Sequence, residues 1–212
     1  MAAKMKGCVI IGASPKAQLP PNFSVGNDGV FCADGGYDRA VSWGIAPDVV
    51  IGDFDSAKEI PQGDFEVVRL PREKDDTDLL AAVKLALQRG YRGFRILGAL
   101  GGRLDHSYGN LSVLAFLAAQ GATATLEDGE TVVQLVSHSD PPLVLERQMG
   151  RTVSVFPFGA DRCIASYTGL QYPLDHGTLS IEVPLGVSNV VIAERATITI
   201  EAGTALVIIL NE

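Results

Sequence analysis

Three groups of residues in this 212-residue chain have the types and spacing to do chemistry. They are Ile51-Gly52-Asp53-Phe54-Asp55-Ser56, Lys74-Asp75-Asp76-Thr77-Asp78 and Gly101-Gly102-Arg103-Leu104-Asp105-His106. Each follows a β-rich apolar run, and open α/β sheets put their chemistry at strand ends. Carboxylates gathered there repel one another unless a cation joins them, so the pattern points to a magnesium-phosphate site. If the chain stays extended after Gly52, Asp53 and Asp55 project to one side and offer two oxygen ligands. The competing reading is a solvated acidic loop. Asp75 and Asp78, three apart at a helix start, either join those ligands or simply cap the helix and meet its dipole. Residues 53–78 hold nine acidic and four basic side chains, which favours the metal reading over an ordinary loop.

The third group is more specific. Glycines after a strand let the backbone approach a ligand closely, and amides at a helix start can cradle phosphate. Arg103 can pair with phosphate through two bonds, Asp105 can ligate metal or take a proton, and His106 can donate a hydrogen bond. A glycine-rich turn with an N-capping Asp explains the glycines but not Arg103 and His106 together. Ala33-Asp34-Gly35-Gly36 also ends a strand ahead of a helix, and either holds part of a nucleotide or is a bare turn.

The elements that must position these groups alternate in the first half. Strands are expected at residues 8–13, 30–33, 48–51, 65–70, 94–97, 123–126 and 132–136, and short helical stretches at 37–43 and 111–120. Leu79, Leu80, Val83, Ala86 and Leu87 form a helical stripe over residues 78–89. Asp75, Asp76 or Thr77 can cap its start, and Gly90 its end. Alternation of this kind predicts an α/β N-terminal domain, a mainly parallel sheet flanked by helices. Around Ser137-His138-Ser139-Asp140-Pro141-Pro142 the character changes, and beyond it only short β-type runs remain. They predict an all-β C-terminal sandwich or barrel. The expected division is residues 1–138 and 143–212, with the Pro-containing stretch as linker.

A net charge of −8 argues against a nucleic-acid partner, since phosphate backbones are bound by Lys and Arg clusters. It leaves room for small phosphorylated ligands, whose charge a metal ion can offset. Three scattered cysteines, Cys8, Cys32 and Cys163, read as reduced, buried thiols of a cytoplasmic protein. No apolar run approaches the roughly 20 residues of a membrane span, so no membrane association is expected. The loops that mark P-loop kinases, simple dehydrogenases, zincins and serine hydrolases are all missing.

The motifs Cys32-Ala33-Asp34-Gly35-Gly36, Gly52-Asp53-Phe54-Asp55-Ser56, Lys74-Asp75-Asp76-Thr77-Asp78 and Gly98 through His106 occur in one order and register. Gly169-Leu170-Gln171-Tyr172-Pro173-Leu174 and Leu185-Gly186-Val187-Ser188-Asn189 follow in the second half. Together they resemble the thiamine pyrophosphokinases of the bacterial type, along nearly the whole chain. The resemblance implies a Mg²⁺-dependent transfer of a diphosphoryl group from the co-substrate ATP to the hydroxyl of thiamine, giving thiamine diphosphate and AMP. It implies a homodimer with active sites between subunits and a C-terminal sandwich for thiamine binding and dimerisation. Asp53, Asp55, Asp75 and Asp78 would bind the metal, and Asp55, Asp78 and Asp105 would be catalytic, Asp105 near the attacking hydroxyl. Asp34, Gly35, Gly36, Lys74, Thr77, Gly101, Gly102, Arg103 and His106 would bind ATP and its phosphates. Ser188 and Asn189 of the partner subunit would contact the aminopyrimidine. The chain departs from some family members in having no Trp near its C-terminus, and in having Val190 where an acid often follows the Ser-Asn pair. The alternatives are a pyrophosphokinase for another heterocyclic alcohol, such as a pterin, and a non-catalytic thiamine- or nucleotide-binding protein.

Overall fold

The structure, a computed structural model, describes residues 6–54 and 61–210; Asp55 and Ser56, expected at the site, lie outside the described residues. Strands dominate, and the helices are few. The chain divides into two compact units, Met1–Gly129 and Glu130–Glu212.

The first unit has six parallel strands: β1 (Gly7–Ile11), β2 (Gly29–Ala33), β3 (Val49–Gly52), β4 (Glu66–Arg69), β5 (Gly93–Leu97) and β6 (Thr123–Asp128). Their spatial order is β6-β5-β1-β2-β3-β4. The chain therefore steps outward from β1 in one direction and then returns to β1's other side with β5. That reversal leaves a crevice beyond the carboxyl ends of β1 and β5, the place where doubly wound sheets bind ligands. Val9, Ile11, Val30, Cys32, Val50 and Leu97 form the buried centre. Strands covered on both faces read as continuous apolar runs, and β1 and β2 do so.

Helices α1 (Gly36–Ser42), α2 (Asp78–Gln88) and α3 (Leu104–Ala119) fill the connections. The stripe seen in sequence buries Leu79, Ala82, Val83 and Ala86 of α2 against β1, β2 and β3. Thr77 is the residue that caps it: its Oγ1 accepts from the Leu80 amide at 3.2 Å. Helix α3 begins seven residues earlier than residue 111, where the apolar period starts. In its first two turns, 104–110, the apolar Leu104 and Tyr108 are exposed and no residue is fully buried, so no apolar period arises there.

The second unit holds two antiparallel sheets. One runs β12 (Asn189–Val190), β9 (Thr152–Pro157), β14 (Thr204–Leu210), β7 (Thr131–Ser137). The other runs β11 (Leu174–Ser180), β10 (Arg162–Thr168), β13 (Arg195–Ala202), β8 (Leu143–Glu146). Val136, Val155, Val207 and Ile209 of the first share a core with Leu145, Ala165, Ile198 and Ile200 of the second. The division at Gly129 differs from the expected linker. Strand β7 pairs along its length with β14, so it belongs to the second unit. The Ser137–Pro142 stretch is a turn inside that unit, closed by the Asp140 carboxylate accepting from the Ser137 amide and hydroxyl, both at 2.7 Å.

Candidate active site

At the reversal of strand order the backbone itself is the floor. A Cβ on Gly12, just past β1, would lie 2.6 Å from the Gly98 carbonyl oxygen, and Gly98 has φ +64°. Neither position can carry a side chain. A Cβ on Gly36 would collide with the Ile11 carbonyl, and one on Gly52 would meet Asp34 Cα at 3.0 Å. Glycine after each strand thus lets the strand ends close to backbone contact. Asp34 sits among them with φ +47°, an uncommon conformation for a residue with a side chain, its amide bonded to the Ile51 carbonyl at 2.8 Å.

Above this floor opens a cleft of about 610 Å³. Asp34, Lys74, Thr77, Asp78, Gly102, Arg103 and His106 line it, all residues marked by sequence. Ser14, Arg72 and Asn110 line it as well, and sequence reasoning missed them; Asp76, read from sequence only as a possible helix cap, also lines it. Gly12-Ala13-Ser14-Pro15 repeats the strand-then-glycine pattern, so it could have been found; an isolated Arg72 carries no such signal. The Ser14 hydroxyl donates to the Leu100 carbonyl, and Asn110 Nδ2 donates to the Ala99 carbonyl at 2.7 Å. These two bonds fix the glycine loop that leads into α3.

The electrostatic centre is Lys74. Its ammonium lies 2.6 Å from Asp53 Oδ2 and 3.1 Å from Asp78 Oδ1. Lys74 and Asp53 are each 14% exposed and Asp78 27%. Burial works against the Lys74 charge, but its contacts with Asp53 and Asp78 outweigh that and raise its pKa above the ordinary lysine value. Burial raises the Asp78 carboxyl above its ordinary range; Lys74 opposes the shift, while Asp34 and Asp53 add to it. The approach of Lys74 to Asp78 Oδ1 lacks hydrogen-bond geometry, and this buried oxygen accepts no hydrogen bond. Two carboxylates gathered on one ammonium repel each other unless their charge is offset, and their oxygens suit a cation.

The other expected residues separate. Asp75 is exposed and outside the cleft lining, because Thr77 caps α2 and leaves Asp75 two residues ahead of the helix. Its neighbour Asp76 lines the cleft but is held by Lys84, with both oxygens at 2.7 Å. Gly35 caps α1, Gly36 packs on β1, and Gly101, with φ +77°, shapes the loop; none of the three lines the cleft. Asp105 is 63% exposed and paired with Arg103 at 2.5 and 3.1 Å. The Arg103 guanidinium, with the His106 amide, holds its carboxyl down to about 2, which makes it a weak proton acceptor. Asp105 thus pairs with Arg103 and is not among the residues that line the cleft.

In the second unit Asn189 is buried and hydrogen-bonded within its own chain. Its Oδ1 accepts from the Tyr172 and Val190 amides at 3.0 and 2.9 Å, and its Nδ2 donates to the Tyr172 carbonyl at 2.7 Å. Asn189 thus clamps the Tyr172 turn of its own chain. Ser188, at φ +55°, is pinned through its amide to the Ser154 hydroxyl, which leaves its own hydroxyl uncommitted.

Two family models match the chain: the thiamin pyrophosphokinase catalytic domain over residues 23–126, and the thiamin pyrophosphokinase vitamin B1 binding domain over residues 143–205. The chain belongs to the thiamine pyrophosphokinase family. Family members are enzymes that transfer a diphosphoryl group from ATP to thiamine, and this chain is an enzyme of that kind. A thiamine pyrophosphokinase of Bacillus subtilis is 28% identical over 211 residues, 96% of this chain and 98% of that one. A crystal structure of the thiamine pyrophosphokinase from Bacillus subtilis superposes with a TM-score of 0.85 at 27% identity, covering 98% of this chain and all of that one. Yeast thiamin pyrophosphokinase superposes at 0.78 with 15% identity, over 98% of this chain and 87% of that one, a likeness of fold alone.

Proposed function

We propose that the cleft of the first unit binds ATP with Mg²⁺ and is where the diphosphoryl group passes to thiamine. The observation that carries this reading is the pairing of two largely buried carboxylates, Asp53 and Asp78, across Lys74 at the carboxyl end of a doubly wound sheet. In our reading the first unit is an α/β catalytic domain, and the second a β-sandwich for thiamine binding and dimerisation. The donor set suits a hard cation that takes oxygen ligands. Asp53 and Asp78 would hold Mg²⁺, with Asp55 as a further ligand. When bound, Mg²⁺ would offset triphosphate charge and polarise the phosphoryl oxygens.

The chain's own residues supply position. The thiamine hydroxyl forms a bond to the β-phosphorus while the bond from that phosphorus to the α–β bridging oxygen breaks, and AMP carries away the electron pair. Such transfers pass through a loose transition state, so alignment and charge neutralisation matter more than a strong base. Arg103, held by Asp105, presents its guanidinium to the phosphates. The start of α2 after Thr77 and the start of α3 after Arg103 add backbone amides. The hydroxyl proton leaves late, so the step does not depend on a strong base.

The second unit exposes Tyr172, Leu185, Val187 and Ile192, large apolar residues that support a homodimer. No helix among the described residues is long and apolar enough to cross a membrane. A cytoplasmic location fits the buried free thiols. Incubation of the purified chain with ATP, Mg²⁺ and thiamine tests the reading. We expect AMP and thiamine diphosphate in equal amounts; formation of ADP, or turnover of a pterin alcohol in place of thiamine, overturns it.

A further inference from the structure

Three Lys or Arg side chains line the cleft: Arg72, Lys74 and Arg103. Lys74 is committed to Asp53 and Asp78, and Arg103 to Asp105. Arg72 has no ion pair or hydrogen bond among the described residues, although the 53–78 segment around it is rich in acids. It stands on the short connection between β4 and α2. One end of that connection is pinned by the Leu70 amide, which donates to the Gly52 carbonyl at 2.9 Å, and the other by Lys74. The guanidinium is therefore delivered to the cleft wall by a backbone fixed on both sides.

The charge balance gives this position a purpose. Asp34, Asp76 and Asp78 line the cleft and match its three cations in number. An ATP triphosphate brings about four negative charges, of which one divalent cation offsets two. A cation with no carboxylate to release is the one that can neutralise incoming phosphate without first breaking an ion pair. A guanidinium also suits phosphate better than an ammonium, since it can form two parallel bonds.

We propose that Arg72 anchors the triphosphate of ATP, serving as the nucleotide-affinity residue of the cleft; this rests on the reading of the cleft as the ATP site. Arg72 acts on binding of the nucleotide and leaves thiamine binding alone. The test is Arg72→Ala and Arg72→Lys in the full chain, with steady-state kinetics in both substrates and titration with a non-hydrolysable ATP analogue plus Mg²⁺. Arg72→Ala should raise the KM for ATP, and the analogue's Kd, about tenfold, the loss of a charge-assisted hydrogen bond. It should leave the KM for thiamine unchanged. Arg72→Lys should recover part of the loss. The salt dependence of analogue binding should be shallower in Arg72→Ala, because an exposed cation has been removed. An analogue Kd within twofold of wild type in Arg72→Ala, or an equal rise in the KM for both substrates, overturns the assignment. If the wild-type chain makes no thiamine diphosphate while Arg72→Ala still weakens analogue binding tenfold, the anchor stands and the reaction assigned to the cleft falls.

Discussion

Asp78 in the first unit and Asn189 in the second are both partly or wholly buried polar residues that the sequence marks for ligand contact, and the fold treats them in opposite ways. Asn189 spends its oxygen on two backbone amides and a donor hydrogen on a carbonyl. Asp78 keeps a buried oxygen whose close contact is the Lys74 ammonium at 3.1 Å, off hydrogen-bond geometry, in a neighbourhood whose burial and negative charge oppose its ionisation. Side-chain atoms spent on backbone groups of the same chain mark a residue that holds the fold together. A carboxylate oxygen met by a side-chain ammonium, beside a second carboxylate, can take a further cation. Motif matching cannot separate the two, because both are polar residues in the right register.

That contrast can be broken most forcefully at the carboxylates. Asp53→Asn and Asp78→Asn should each cut turnover about a thousandfold, the scale of losing one electrostatic contact to developing charge. Asp78→Asn should not lower the thermal midpoint at neutral pH. Its folded pKa lies above its unfolded one, so between those values the native state binds the extra proton and stability from this group falls as pH rises. Removing the charge relieves that penalty. A clearly lower midpoint for Asp78→Asn would make the residue structural and erase the contrast.

The next effect is on the other side. Asn189→Ala removes three hydrogen bonds and leaves buried backbone groups unsatisfied. We expect a loss of about 2–3 kcal/mol in denaturant unfolding. An unchanged unfolding curve with a raised KM for thiamine would return Asn189 to the ligand.

Lys74→Met gives the smallest change and the finest distinction. It leaves Asp53 and Asp78 facing each other without their shared cation. The expected cost is about 1–3 kcal/mol in EDTA, shrinking as Mg²⁺ is added, since an ion that binds only the native state stabilises it. A cost that is the same with and without Mg²⁺ would mean that the carboxylates do not share a cation site.

Much of the first unit could be read directly from sequence. Apolar runs gave the strands within a residue or two, and the glycines after them gave the strand ends that meet at the cleft. The start of α2 was readable because Thr77 and a clear apolar stripe agree. The opening turns of α3 were not, since Leu104, Asp105 and His106 face outward and contribute no period. The place of β7 depends on pairing with β14 far along the chain, which local alternation does not encode. The Asn189 clamp was not legible for the same reason: its partner Tyr172 lies 17 residues away, and the clamp exists only once β12 has formed. Asp75 looked equivalent to Asp78 until the Thr77 cap placed it outside the helix.

The pair Gly12 and Gly98 sets a limit on how this enzyme can change. Each fills the space a side chain would need on the other, so the floor of the cleft offers no variable position. Altered substrate preference, whether reached by drift or by engineering, must come from the rim: Ser14, Arg72, Arg103, His106 and Asn110. A mutational library confined to those walls should yield folded variants with shifted nucleotide preference, whereas one that includes the two glycines should be dominated by chains that never assemble the sheet.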